Sequence, residues 1–242
     1  MANRSALLVI ADIGGYTAFV RNHRASLAHA QDIVARLLEA LIDAAPELTL
    51  IEIEGDAAFF YAWPPGGREE DAARLMADCS LAMHRAFRAV QQHIETLNIC
   101  RCQGCRDARD LKVKFVAHFG EVVMQRVKQI SKVAGLEVIL VHRMLKNAVP
   151  VPEYMLLSEP LYRLSDPNLR VHSVPLAQEF EGLGQVQTYF IDIDGVALAP
   201  PAPPRRTLLG MLAENIGVLV RAFPYRFGFR KPRFALSARR RN

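Results

Sequence analysis

Asp12 and Asp56 are the side chains best placed to do chemistry. Asp12 closes an apolar run, Ala6-Leu-Leu-Val-Ile-Ala-Asp12, and is followed by Ile13, Gly14 and Gly15. Asp56 follows Gly55, a dipeptide suited to a tight hairpin turn. Two carboxylates on backbone segments that glycine lets approach closely make an oxygen-rich site suited to Mg²⁺ or Mn²⁺. Gly14 and Gly15 let the chain come close to a phosphate, and a helical turn after them would point its N–H groups at that anion. Glu52 and Glu54 lie two apart on a strand and so share one face. The plainer alternative for both aspartates is turn chemistry, which favours Asp for its own reasons.

The cysteines form the second constellation. Cys100, Cys102 and Cys105 fall within six residues, with Cys79 far upstream. Zinc takes four ligands, commonly Cys with His. Cys79, His84 or His93 would supply the fourth, and the bland reading is three thiols on a surface loop. His118 and His142 are single histidines beside apolar neighbours and read as core or strand residues. His142, next to Arg143, also lies where a phosphate contact is possible.

The elements that must position these groups follow from apolar spacing. Residues 6–12 suit a central strand buried on both faces. Residues 29–45 repeat Ile33, Val34, Leu37, Leu38, Leu41 and Ile42 at one-face helical spacing, and Pro46 stops them. Residues 48–63 read as two strands joined at Gly55-Asp56. Residues 69–96 form a long helix with Glu69, Glu70 and Asp71 in its first turn, where the helix dipole favours acids. Residues 111–119 alternate as a strand with one wetter face, which Gly120 interrupts. A helix over 135–147 and strands at 155–157 and 186–193 follow. The order is ferredoxin-like, an α/β (α+β) antiparallel sheet with added elements and helices on one face. In such a sheet the first strand neighbours the first strand of the hairpin, which brings Asp12 to Asp56.

The 242 residues are half apolar, enough for one domain plus an appendage. No stretch of eighteen uncharged apolar residues predicts a membrane span, and the start lacks a secretory pattern, so the expected location is the cytoplasm. The net charge of +5 hides an asymmetry. Residues 201–242 carry ten bases and one acid, leaving twenty bases and twenty-four acids elsewhere. The predicted organisation is a domain over 1–198 with a Cys-rich loop at 98–110, a proline-rich linker at 199–206, and a basic amphipathic tail at 207–242. That tail has the composition of an element lying on an anionic membrane surface, which would make the protein membrane-peripheral. Packing on the domain or on a partner is the alternative, and nucleic acid ranks last.

Five segments resemble, in order, the motifs of class III nucleotidyl cyclases. Leu8-Val-Ile-Ala-Asp-Ile-Gly-Gly-Tyr-Thr17 is similar to the first-strand signature, and Glu52-Ile-Glu-Gly-Asp56 to the hairpin. Ala117-His-Phe-Gly-Glu-Val122, Gly135-Leu-Glu-Val-Ile-Leu-Val-His-Arg143 and Gly182-Leu-Gly-Gln-Val-Gln-Thr-Tyr-Phe190 resemble the later strand, helix and closing strand. The set also resembles an uncharacterised bacterial family within that superfamily, marked by the cysteine cluster and by His-Arg-Met-Leu-Lys-Asn147. The resemblance implies Asp12 and Asp56 as metal ligands and Ile13, Gly14, Gly15 and Tyr16 as the nucleotide-phosphate segment. It further implies Arg143 as the transition-state arginine, Glu52 and Lys132 at the base-reading positions, and a homodimer in which each site draws on both chains. The departures are specific. The transition-state Asn falls on Ile139, and the triphosphate-binding Lys falls in Glu179-Phe-Glu-Gly182. Lys132 is placed to pair with Glu52 and block base recognition. The combination implies a cyclase-like domain that binds a divalent metal and a nucleotide or phosphate ligand with degenerate or altered catalysis. An active cyclase and a scaffolding dimer tethered by its tail are the alternatives.

Overall fold

The structure, a computed structural model, describes residues 3–96 and 102–194. The proline-rich linker, the basic tail and Cys100 lie outside the described residues. Along the chain, β1 (Arg4–Gly14) leads into α1 (Tyr16–Asn22) and α2 (Leu27–Asp43). The hairpin β2 (Thr49–Glu54) and β3 (Ala57–Ala62) precedes α3 (Glu70–Thr96) and α4 (Gln103–Asp107). Then come β4 (Lys112–Val127), β5 (Ile130–Ala134), α5 (Leu136–Met144), β6 (Tyr154–Ser158), α6 (Glu159–Leu164), α7 (Pro167–Val171), β7 (Val174–Phe180) and β8 (Gly184–Asp192).

The sheet runs β2-β3-β1-β4-β6-β8-β7, with β5 paired to the far end of β4. Its first four strands have the ferredoxin-like order. Asp12 comes near the hairpin turn, but through a different neighbour from the expected one: β1 pairs with β3, the second hairpin strand, and β2 is the edge. The pairing β1–β3 is antiparallel, as is β1–β4, while β4 and β6 run parallel. A parallel pair needs a crossover, and α5 is the helix in that connection.

Strand alternation divides the core in two. Leu7, Val9, Ala11 and Ile13 of β1 face one side, against Ile33, Leu37 and Leu41 of α2 and Met76, Met83 and Phe87 of α3. Ala6, Leu8 and Ile10 face the other, against Val141 and Met144 of α5. Helices therefore cover both faces of the sheet, not one. The sequence stripe of α5 is too short to reveal its side in advance. Asp12, Lys114 and His118 all share the α5 face by strand parity, so the face of β4 expected to be wetter is a second interior and His118 is buried.

Gly120 does not interrupt β4, which continues to Val127. A Cβ at Gly120 would stand 2.6 Å from His118 Nε2 and 2.8 Å from Glu137 Cγ. Glycine is there because α5 approaches the strand closely. The Cys-rich segment is also not simply a loop. Residues 103–107 are helical, and Cys105 and Ala108 are buried in the same core as α2 and α3.

Candidate active site

Asp12 stands directly opposite Lys114 on β4 and Ala57 on β3. Cross-strand partners on one face are within side-chain reach, and Lys114 Nζ lies 3.0 Å from Asp12 Oδ2. Asp56 closes the β2–β3 turn after Gly55, whose φ of 65° suits glycine. The Ile13 N–H donates to the Asp56 carbonyl at 3.1 Å, pinning that turn to the end of β1. Burial, and then the neighbouring Asp12 carboxylate, raise the Asp56 pKa above its ordinary value, while its own backbone and Lys114 pull the other way. Burial would lower the pKa of Lys114, but Asp12 and Asp56, with Tyr154, lift it above the ordinary lysine value. The ammonium is thus charged and sits in the field of both acids. Tyr154 borders this group and donates to Asn147 Oδ1 at 2.8 Å.

The other expected site residues divide. Gly15 caps the seven-residue α1 with φ 87°, and the Tyr16 hydroxyl accepts from Gln31 at 3.0 Å. The Ile13 side chain is in the core. Glu52 is half-buried on β2 next to a bulge, whereas Lys132 is exposed on β5, the arm beyond the far end of β4. No ion pair joins them among the described residues, which corrects the expected Glu52–Lys132 blockade: hairpin and arm lie on different parts of the sheet. His142 stands edge-on to Phe59, 4.8 Å between ring centroids, and 4.0 Å from Glu54. Arg143 lies in the last turn of α5, and its Nη1 meets Glu181 Oε2 at 2.8 Å. Glu181 lies in the Glu179–Gly182 segment, where the resemblance expects a lysine, and it forms a largely exposed ion pair with Arg143. Ile139, in the place of the expected Asn, is half exposed.

Cys102 and Cys105 lie 3.7 Å apart between sulfurs. The third group is His29 of α2, whose Nε2 is 3.2 Å from Cys105 Sγ. The anticipated partners Cys79, His84 and His93 are not part of this cluster among the described residues. Burial, then Glu47 and Asp78, push the Cys79 thiol up to about 12, so it stays protonated.

A family description, Protein of unknown function (DUF2652), matches residues 34–154. The uncharacterized protein Rv2561/Rv2562 of Mycobacterium tuberculosis is 41% identical over 198 residues, covering 82% of this chain and 91% of that one. The chain belongs to the DUF2652 family. Among solved structures, this DUF2652 chain resembles the adenylyl cyclase CyaB from P. aeruginosa, with TM-score 0.60, 16% identity, and coverage of 83% of this chain and 98% of that one. It also resembles the guanylyl cyclase Cya2, with TM-score 0.63, 18% identity, and coverage of 78% and 92%. A third is the catalytic core of a rhodopsin-guanylyl cyclase in complex with ATPalphaS, with TM-score 0.56, 18% identity, and coverage of 78% and 97%. At such identities the likeness shows the fold: the DUF2652 domain has the class III cyclase fold. No helix among the described residues is long and apolar enough to cross a membrane.

The donor chemistry at Asp12 and Asp56 fits a hard divalent cation, which prefers carboxylate oxygen. The fit comes with competition for charge, because Lys114 already holds Asp12 Oδ2 at 3.0 Å. Lys114 is the site residue that motif reading missed in this DUF2652 sequence. The alternation of residues 111–119 puts Lys114 on the face expected to be wetter, and only the register with β1 sets it opposite Asp12. Glu153 is a second omission. It is fully buried, is held by Arg88, accepts from the Val113 N–H at 3.2 Å, and has His84 Nε2 at 3.5 Å.

Proposed function

We propose that this DUF2652 chain is a cyclase-fold domain that binds a divalent cation at Asp12 and Asp56, together with a nucleotide or other phosphate ligand, and that its catalysis is degenerate. One observation carries the proposal. Strand pairing sets Asp12 opposite Ala57, the residue after Asp56, and the Ile13 N–H holds the Asp56 carbonyl at 3.1 Å, so two carboxylates from separate segments are neighbours; burial first, and then Asp12, raise the Asp56 pKa. Such mutual repulsion is costly unless a cation is recruited. In the free protein Lys114 supplies part of that charge at 3.0 Å from Asp12. A bound cation would supply the rest and neutralise phosphate oxygens. The chain's own residues restrict the chemistry open to such a complex. Arg143 is engaged by Glu181, and Ile139 has no donor to offer a developing oxyanion. Loss of one such donor alone typically costs about 10²–10³ in rate.

Leu136 and Ile139 are exposed apolar residues on α5, the helix that carries Arg143. Their position favours a homodimer through that helix. Sedimentation of wild type against Ile139→Glu checks it, with loss of dimer as the expected result.

Calorimetric titration with Mn²⁺, alone and with ATP or GTP, tests the main proposal. Saturable binding is expected in wild type, absent in Asp12→Asn and Asp56→Asn, and tighter in Lys114→Met. An assay for cyclic nucleotide with Mn²⁺ should give no product above the Asp56→Asn background. Absence of Mn²⁺ binding removes the proposal, and clear turnover replaces it with an active cyclase.

A further inference from the structure

We infer that His29, Cys102 and Cys105 form a structural zinc site that fastens the cysteine-bearing segment to the start of α2. It involves none of the acid-pair residues and stands or falls independently of their function. The three ligand atoms lie within 4.8 Å of one another. Tetrahedral zinc has Zn–S bonds of about 2.3 Å and Zn–N bonds of about 2.0–2.1 Å, which places two ligand sulfurs about 3.8 Å apart and a sulfur and nitrogen about 3.5 Å apart. The observed separations are 3.7 Å for Cys102 Sγ to Cys105 Sγ and 3.2 Å for His29 Nε2 to Cys105 Sγ. Both sulfurs are therefore at the separation of two thiolates on one ion, well beyond the roughly 2.05 Å of a disulfide. The histidine is drawn in only slightly further than coordination requires.

The ligand chemistry selects the ion. Two thiolates and an imidazole suit a soft or borderline cation, and zinc in tetrahedral Cys/His sites is the common structural outcome. Magnesium or manganese would not choose this set, so the ion here differs from the one that suits Asp12 and Asp56. Burial points the same way: Cys105 is buried in the main core and His29 and Cys102 are half-buried, which leaves the fourth position of a tetrahedral ion on the less buried side of the cluster.

The cluster is supported by its surroundings. A Cβ on Gly104 would be 3.7 Å from Cys102 Sγ, 3.8 Å from His23 Nδ1 and 3.8 Å from the His29 ring. The short helix α4 thus lies against both histidine rings. His23 Nε2 in turn is 3.1 Å from Asp107 Oδ2, a second tie between the same two segments. Gly15, just after the acid site, would meet Leu111 and Asp110 if it carried a Cβ. The segment that the ion fastens therefore also backs the turn that follows Asp12.

The test uses the full-length chain purified without chelator. Elemental analysis should give close to one zinc per chain, falling below about a fifth in His29→Ala and in Cys105→Ser, with Cys79→Ser unchanged. Wild type stripped of zinc and reloaded with Co²⁺ should show thiolate-to-metal charge transfer and tetrahedral visible bands. Its melting temperature should fall on stripping and recover on adding zinc, a readout that needs no variant to fold. Wild type with no zinc and no cobalt spectrum overturns the inference. So does a mass two hydrogens lighter with a Cys102–Cys105 disulfide, and so does zinc retained by both ligand variants.

Discussion

Arg143 Nη1 and Glu181 Oε2 meet at 2.8 Å, joining the end of α5 to the β7–β8 turn. Glu181 is 87% exposed and Arg143 39%, so the pair adds little to stability, typically under about 1 kcal/mol. On the proposed reading its effect is on ligand charge. Glu181→Gln should leave the melting temperature nearly unchanged while strengthening ATP or GTP binding in the presence of Mn²⁺. Unchanged nucleotide affinity would show that Arg143 does not meet the phosphates.

Asp56 supplies a stability signature. Its folded pKa is raised above 3.8, so ionising it is harder in the folded than in the unfolded chain. The protein therefore loses stability as pH rises from 3.8 through the folded value. Asp56→Asn should melt higher than wild type at pH 7 in chelator-treated buffer, and the gain should vanish below pH 3.8. Mn²⁺ should stabilise wild type and not the variant. Thermal melts across pH, with and without Mn²⁺, check all three outcomes.

Glu153 should behave in the opposite way. Burial works to raise its pKa, but His84, Arg88 and the Val113 N–H hold the carboxyl below the usual glutamate value of 4.5. Its stabilisation is present above 4.5 and is lost as pH falls through the folded value. Glu153→Ala leaves Arg88 without its buried partner and should cost about 3–5 kcal/mol at pH 7. Urea unfolding measures it, and a loss below about 1 kcal/mol would mean that the pair is no better than a surface one.

Gly120→Ala tests the approach of α5 to β4. The added methyl would lie 2.6 Å from His118 Nε2 and 2.8 Å from Glu137 Cγ. Overpacking of this kind costs about 1–3 kcal/mol. His118 also has a pH dependence of its own. Burial holds its pKa below 6.5 against the pull of Glu137, while Nδ1 meets Ser158 Oγ at 2.8 Å. Its neutral ring is favoured in the fold, so stability is full above 6.5 and declines as pH falls. His118→Gln should flatten that part of the acid limb in denaturation curves.

Long periodic elements were legible in the residues: β1, α2, the hairpin and α3 lie where apolar spacing puts them, because each buries one continuous stripe or run. Strand β7 was missed because Val174-Pro175 reads as a breaker, and Pro is tolerated there because β7 is an edge. Strand β5 was missed because Ser131 and Lys132 break its apolar pattern; it is an arm paired only with β4. At the candidate site, Asp12 and Asp56 were visible as residue types beside glycine. Lys114 was not, because its importance comes from register, which spacing along one strand does not reveal. His29 was hidden for a related reason: it lies more than seventy residues from Cys105 and meets it only through tertiary packing.

The central place of β1 bears on how the chain folds. Of the strands in this sheet it precedes all the others in the chain, yet Arg4 pairs with Val122, more than one hundred residues later. Until β4 is synthesised, one long edge of this largely buried strand has no partner. Closing so large a loop is entropically costly and slows folding. An open apolar edge is also a template for pairing between nascent chains. Folding should therefore be least secure while the chain ends short of β4, with the hairpin and the long helix complete and the centre of the sheet still half built.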